Sequence, residues 1–511
     1  MDDGAFYRKT KGRGIRLTPL SLHGREEIST TADEITEENV VEVLKKALDT
    51  HKKNSDDIEY LYNYVRGDQP VLRRSKPIRP EINNKVVVNH AFAITQFVSG
   101  YFVGEPVAYV RRGERDGASD EIEQLNTYMH NENKASHDKR MATWMAVCGV
   151  GYRMILPNKY AEFDSDETPF EIDTPDPRNT FVVYRAGFGR RRMMCVRQVR
   201  RDKKTSLHNN ANENDYEVVN CVYTREQYFE IVDDKIVQRR FHALRDLPIF
   251  EYQLNAFRMG SFESAITVLD TINEITSNRA DGVAQFVQSF LKFINCDVDE
   301  SDVEALRKLG AIKIKSAEHQ KGDVELISQE LNQSQTQTLV DNLYEQALVI
   351  CGMPSTTKGG TSTSDTGRAV FLRDGWTQSE SRAQDTETLF KESEGKFLKL
   401  CLRILRDTNE TQLTASEVEC KFTRRQYDNL ISKSQALLQM LQAGLDPAIA
   451  IATCGLFNDP MDVASRSEKH LSKWDPKKEE PVQSQAIPEQ SENIEPSERT
   501  EKTQSSENSD E

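Results

Sequence analysis

Apolar positions along this chain change period twice. They recur at three- and four-residue spacing up to Cys148, alternate from Tyr152 to about Tyr252, and return to helical spacing from Ser261 onward. Thr36 to Lys53 carries Val40, Val43, Leu44, Ala47 and Leu48 on one helical face. Ser55 is placed to cap a second helix through Ile58, Leu61, Tyr62 and Val65, ended by Gly67. A basic loop (Arg73, Arg74, Lys76, Arg79) leads to a β-branched run, Lys85 to Val88. Asn89 then caps a helix with Phe92, Phe97, Val98, Tyr101 and Phe102, stopped at Gly104-Glu105-Pro106. One long helical pattern covers Asp120 to Cys148, and Gly149-Val150-Gly151 turns it into strand-like Tyr152 to Leu156. Phe170–Ile172, Phe181–Tyr184, Met193–Val199, Glu217–Tyr223, Tyr228–Val232 and Ile249–Tyr252 read as further strands. The class is α+β and helix-rich.

The longest helical patterns lie between Ser261 and Arg406. The first, Ser261 to Phe290, sets Phe262, Ile266, Leu269, Ile272, Val283, Phe286, Val287 and Phe290 on an apolar stripe. Asp270, Glu274, Asp281, Gln285 and Gln288 fall largely on another face. A small mixed insertion follows, with strands at Leu291–Ile294, Ile312–Ile314 and Val324–Ile327 and a short helix at Asp302–Leu309. Ser334 to Cys351 is the second helix, with Leu339, Leu343, Ala347 and Ile350, ended by Gly352-Met353-Pro354. Next comes an exposed-looking loop of glycine, threonine and serine, from Ser355 to Asp365. A third helix is expected from about Thr366 to Arg406, with Gly375 and Gly395 as sites of a kink or break. A helical pair follows at Tyr427 to Ala443 and Pro447 to Cys454. Beyond Trp474 the chain is Pro, Glu, Gln and Ser, too polar to bury a core, and is expected to be disordered.

Composition narrows the function classes. The 511 residues allow two to four domains. The net charge is −15, from 67 basic and 82 acidic residues, and Asp475 to Glu511 holds 11 acidic against 4 basic. A body of that sign is unlike a tight nucleic-acid binder, so any DNA contact must be loose or confined to small basic sites. The eight cysteines are scattered without a Cys-x-x-Cys, which speaks against zinc or a disulfide framework and for a reducing compartment. The polar N-terminus does not read as a signal peptide, and no apolar run approaches the roughly 20 residues of a membrane span.

Candidate chemistry is sparse. Gly149-Val150-Gly151 lacks the third glycine of a dinucleotide loop and runs helix to strand, so a plain turn accounts for it. Gly352 to Lys358 lacks the Gly-Lys-Ser/Thr core of a phosphate loop. That leaves two readings: a mobile loop offering Lys358 to a polyanion, or an exposed linker. Glu417, Glu419 and Lys421 have the acidic-x-Lys pattern of some Mg-dependent nucleases, but a strand with outward charges is far commoner. Arg185 to Lys204 holds nine basic residues and one acid. It is either a patch for a polyanion or acidic partner, or a solvated hairpin face, and its few aromatics favour the latter. No cofactor motif is present.

Several stretches taken in order resemble the portal protein family of tailed double-stranded-DNA bacteriophages, siphophage type. They are Tyr60-Leu-Tyr-Asn-Tyr-Val-Arg-Gly-Asp-Gln-Pro70, Asn83-Asn-Lys-Val-Val-Val-Asn89, Gly100-Tyr-Phe-Val-Gly-Glu-Pro106, Cys148-Gly-Val-Gly-Tyr152, and Gly352-Met-Pro354 with the loop and long helix after it. The resemblance spans about Tyr60 to Arg406.

The resemblance implies a non-enzymatic ring, usually a dodecamer, at one capsid vertex, with double-stranded DNA packaged and ejected through its axis. Its partners would be further copies of itself, the terminase large subunit as packaging motor, a head–tail adaptor, and the major capsid and scaffolding proteins, in the virion and, during assembly, in the host cytoplasm. No membrane is involved. Residues 34–260 would be the wing, 261–290 and 332–352 the stem helices, and 291–331 the clip; residues 1–33, which the resemblance does not cover, read as a flexible arm from their mix of Gly, Thr and basic residues. Residues 353–366 would be the tunnel loop, 367–423 the long helix and wing return, 424–473 the crown, and 474–511 a disordered acidic tail. Ser355, Thr356, Thr357, Lys358, Gly359 and Gly360 would be the channel loop, and Asp270, Glu274 and Asp281 acids facing the channel. The loop departs from a wedge-like grip in having little apolar bulk. The competing hypotheses are a Mg-dependent nucleic-acid-processing enzyme using Glu417, Glu419 and Lys421, and another head-assembly protein such as an adaptor or scaffold, against which the length argues.

Overall fold

Two sheets, rather than one, arise from the alternating region, and helices close around both. The computed structural model describes residues 24–77, 79–112, 118–161, 167–202, 216–287, 290–294, 323–327, 333–354, 375–408, 410–422, 430–457 and 460–471. In chain order the elements begin with β1 (Ser29–Thr30), α1 (Val40–Val65), α2 (His90–Phe102), β2 (Ala108–Arg111), α3 (Ala118–Asn131) and α4 (Lys134–Cys148). The sheets are built from β3 (Val150–Pro157), β4 (Phe170–Asp173), β5 (Thr180–Arg185), β6 (Arg192–Asp202), β7 (Tyr216–Tyr223), β8 (Gln227–Val232), β9 (Lys235–Phe241) and β10 (Ile249–Gln253). Then follow α5 (Ile266–Val287), β11 (Phe290–Ile294), β12 (Asp323–Ile327), α6 (Gln333–Cys351), α7 (Trp376–Asp407), β13 (Val418–Lys421), α8 (Leu430–Gln442), α9 (Pro447–Cys454) and α10 (Pro460–Leu471).

The larger sheet has the order β1-β5-β6-β7-β8-β9, with β1 parallel to β5 and the rest antiparallel. Phe181, Val183, Met194, Val196, Val222, Phe229 and Ile231 line one face and bury Val40, Val43, Leu44 and Ala47 of α1. The smaller sheet, β10-β3-β4, packs between α4 and α7, where Met141, Met145, Phe250, Tyr252, Phe390 and Phe397 share one core. β11 pairs with β12 and β13 with β2, both antiparallel. The expected helix at Asp302–Leu309, strand at Ile312–Ile314, loop Ser355–Asp365, and tail from Trp474 lie outside the described residues.

Several expectations need correction. The two helices proposed around Ser55 are one, α1. Burying Ile58 and Leu61 on a continuous helix is worth about 1.5–3 kcal/mol each, which outweighs the roughly 1 kcal/mol of a new cap at Ser55. The side chains at the supposed break serve elsewhere: Asn54 makes paired bonds with the Glu26 backbone (2.9 and 2.8 Å), and Ser55 Oγ donates to Arg178 O (3.0 Å). The pattern from Asp120 to Cys148 is two helices, α3 and α4, broken at Asn133 with φ 53°. Residues 24–33, assigned to a flexible arm, are seated in the body. Tyr184 N and Ala186 N donate to Ile28 O and Thr30 O, and Arg25 is buried. The third long helix starts only at Trp376, because Gly375 adopts φ 82° as its N-cap, whereas Gly395 is accommodated without a break. The edge strand β9 and the helix α10 were not anticipated; Lys235, Arg239 and Arg240 mask the alternation of β9.

His51 lies within α1, buried against Phe181 (ring centroids 4.3 Å apart), with Nε2–H donating to Arg178 O at 3.0 Å. Burial pushes its imidazole down to about 4, and the hydrogen bond to Arg178 only partly opposes this. The unfolded chain therefore takes up the proton first as pH falls. Stability is fully present above about pH 6.5 and is lost toward pH 4, by about 3 kcal/mol. Urea midpoints measured from pH 7 to pH 4 should fall accordingly, and His51→Gln should flatten that part of the profile. A variant profile as steep as the wild type would remove His51 as the cause.

Candidate functional site

The pair α5 and α6 and the segment after it form the most distinctive arrangement. Gly352, at φ 68°, ends α6, and its carbonyl accepts a bond from Ser379 Oγ of α7 at 2.7 Å. A Cβ on Gly375, the N-cap of α7, would lie 3.7 Å from Pro354 Cα. The segment between residues 354 and 375 therefore leaves and re-enters the fold at one point. Helix α2 braces both sides of this point. His90 stacks on Tyr344 of α6 (4.2 Å), Phe97 and Tyr101 meet Trp376 of α7 (5.8 and 5.9 Å), and Tyr101 OH donates to Glu380 (2.8 Å). Ser355, Thr356, Thr357, Lys358, Gly359 and Gly360 lie outside the described residues; what the structure fixes is the base from which they depart.

Helix α5 carries a polar ladder. Val88 N donates to Asn273 Oδ1 (2.8 Å), Val86 N to Ser277 Oγ (3.0 Å) and Asn84 N to Asp281 Oδ1 (2.6 Å). Two residues of extended chain advance about 6.6 Å and four residues of helix about 6 Å, so each alternate amide meets the next turn. The β-branched run Lys85–Val88 thus bonds through its backbone to helix side chains instead of to another strand. Its signal was present in the sequence as Asn273, Ser277 and Asp281 at four-residue spacing, interrupting an apolar helix.

This ladder decides where the three candidate acids sit. Asp281 is 3% exposed and held by Arg74 (2.8 Å) and by Lys76. Burial would raise its carboxyl, but the bonds from Lys76 and Asn84 outweigh that and lower it. Asp270 is half-buried and accepts from Tyr64 OH at 2.8 Å. Glu274 is exposed, on a flank it shares with Thr267, Thr271 and Asn278. Across α5 and α6 the ionisable residues are five acids (Asp270, Glu274, Asp281, Asp341, Glu345) and one base, Arg279.

The root of α5 is fixed by close backbone packing. Ser261 N donates to Ala146 O at 2.7 Å and Leu254 N to Gly149 O at 2.9 Å. Gly149, at φ 84°, ends α4 so tightly that a Cβ would stand 2.2 Å from Arg258 O. Glu263, just before α5, is buried with Arg25 (2.8 Å) and accepts from Gly260 N (2.7 Å).

Helix α7 is anchored by a buried ionic cluster. Glu394 contacts Arg153 Nη1 (2.6 Å) and Lys134 Nζ (3.2 Å), and Asp138 contacts the same two cations. Tyr109 and Tyr252 hydroxyls donate to Glu394. All four charged residues are 3% exposed or less, and they balance to zero net charge. Burial would raise the Glu394 carboxyl, but Arg153 and Lys134 overcome this and hold it at about 2.

The remaining candidates are dispersed. In the basic run, Arg185, Arg190, Arg192, Arg197 and Arg201 each pair with an acid of the same chain, which supports a hairpin face over a dedicated polyanion patch. Glu419 points outward from β13, while Glu417 accepts from Thr414 and Lys421 Nζ donates to Phe457 O (3.0 Å). These three do not converge on a common point. Among the described residues no group of His, Cys, Asp and Glu could hold a metal ion, and no helix is long and apolar enough to cross a membrane. A family model described as phage portal protein, SPP1 Gp6-like, matches residues 44–476. No curated protein sequence matches the chain.

Proposed function

The chain belongs to the SPP1 Gp6-like family of phage portal proteins, and from that premise we propose that it forms a ring at one capsid vertex through which double-stranded DNA is packaged and later ejected. In this reading a usually twelve-membered ring docks the terminase large subunit and then a head–tail adaptor, and sits among major capsid and scaffolding proteins. Helices α5 and α6 serve as the stem and residues 291–331, which follow Phe290 of the β11–β12 hairpin, as the clip. The segment 353–366 is the tunnel loop, residues 34–260 the wing, and 424–473 the crown. The family is structural, and no catalytic step is assigned to the chain.

One observation carries the reading: a loop whose two ends meet at a braced base beside a helix pair with five acids and one base. A channel for DNA must avoid strong phosphate contacts, because each would slow sliding. Repulsive acid rings with a single weak, salt-screened Lys358 contact meet that need. The ring of acids is assigned mainly to Glu274, since Asp281 is neutralised by Arg74 and Lys76 and Asp270 is tied to Tyr64.

The test is deletion of Ser355 to Asp365. Negative-stain images should still show rings with an axial opening, because the loop base is held by contacts outside the deletion. Packaged DNA, measured as nuclease-protected genome in assembled heads, should fall by roughly tenfold or more if the loop contacts DNA. Failure of the deleted chain to form rings, or full packaging without the loop, would sink this division of labour.

A further inference from the structure

One end of the six-stranded sheet gathers exposed arginines and exposed aromatic rings that the channel reading leaves unused. The strand register places the tips together: Tyr184 lies opposite Arg192, Cys195 opposite Tyr223, and Gln227 opposite Phe241. The β5–β6 tip, the β7–β8 turn and the end of β9 therefore share one edge of the sheet, across about 15 Å. Phe188 stands fully exposed at the first tip, between Gly187 (φ 100°) and Gly189 (φ 89°), and nothing lies within 4 Å of where either glycine's Cβ would be. Phe241 is 68% exposed, with the Arg239 guanidinium 5.2 Å from its ring centroid. Exposed Arg191, Arg225, Arg240 and Arg245 lie on this edge or in the turn beside it, and their side chains make no ion pair or hydrogen bond with another described residue. His242 N donates to Glu226 O, and Asp246 pairs with Arg192, which ties the turns into one surface.

We propose that this edge is the docking surface for the acidic C-terminal segment of this chain, residues 479–498, from the same or a neighbouring copy. Charge complementarity selects the occupant. That segment holds six glutamates, no lysine or arginine, and three spaced aliphatics, Val482, Ile487 and Ile494. Guanidiniums bind carboxylates through paired N–H donors, and exposed Phe rings accept aliphatic side chains; arginine and aromatic residues together are the usual composition of a protein-binding surface. The segment begins eight residues after Leu471, where α10 ends.

The test uses the full chain and a full-chain variant in which Glu479, Glu480, Glu489, Glu492, Glu495 and Glu498 are each changed to Gln. Arginine modification by phenylglyoxal is followed peptide by peptide, with exposed Arg140 on α4 as internal reference. At low salt Arg191, Arg225, Arg240 and Arg245 should react about fivefold more slowly than at about 0.5 M salt, where screening releases the segment. The glutamine variant should react at the fast rate in both. Phe188→Ala and Phe241→Ala together should shrink the protection without altering Arg140. Equal rates for the two chains at low salt would overturn the proposal. So would protection of the four arginines by added duplex DNA at physiological salt that is unaffected by the glutamine changes, since that would assign the edge to nucleic acid.

Discussion

Glu394→Ala is expected to destabilise the protein by about 3–5 kcal/mol, the cost of leaving a buried cation without its partner. The carboxylate contacts Arg153 and Lys134 and accepts from two tyrosine hydroxyls, with no exposed surface of its own. Removing it strands an excess positive charge beneath α7, between β3, β10 and α4. Water cannot enter without opening a core that includes Phe390 and Phe397, whose rings lie 5.9 and 4.9 Å from the Arg153 guanidinium. Urea unfolding of the single variant at pH 7 measures the loss. Replacing Lys134, Asp138, Arg153 and Glu394 together by Met or Leu should recover much of it, because a buried ion network contributes little net stability over a packed apolar one. A single variant as stable as wild type would mean that the site hydrates freely. The pH dependence has a definite sign. The folded carboxyl titrates at about 2, below its unfolded value of 4.5, so its stabilisation is complete above pH 4.5 and is lost as pH falls through 2.

Gly149→Ala is expected to be nearly as damaging, while Gly395→Ala should stabilise. At Gly149 a side chain faces φ 84° and backbone atoms of Arg258 at 2.2 Å, which cannot give way without moving the segment that leads into α5. The left-handed conformation alone costs about 1–2 kcal/mol for an alanine, and the displaced backbone adds to it. Gly395 sits in mid-helix with nothing within 4 Å, so alanine there should gain about 0.5–1 kcal/mol. Thermal or urea unfolding of the two variants should move in opposite directions. If both move alike, the close approach of the α4 turn to the root of α5 is relaxed in solution.

Local chemistry explains what could be read in advance. Asn89 caps α2 by accepting from Phe92 N, Gly149 ends α4, and most strands between Val150 and Gln253 follow their alternation to within two residues. These depend on near neighbours, so periodicity and a capping residue suffice. Breaks were harder to read. Whether a helix continues at Ser55 or stops at Asn133 depends on what its side chains meet across the fold: Ser55 finds Arg178 O, 123 positions away.

For the candidate site the division is sharper. The sequence by itself determined that the two helices are acidic and that Asp270, Glu274 and Asp281 share a polar side of α5. Only the tertiary structure decided what those charges do, because a carboxylate's role is set by the groups within a few ångströms of it. Arg74 and Lys76, some two hundred residues earlier, convert Asp281 from an exposed charge into a clamp, while Glu274 two turns away keeps its charge in the open. The same physics divides the arginine-rich run. The sequence read that run as a solvated hairpin face in preference to a polyanion patch; folding pairs Arg185, Arg190, Arg192, Arg197 and Arg201 internally, and strand register brings Arg191 to the same end of the sheet as Arg225, Arg240 and Arg245.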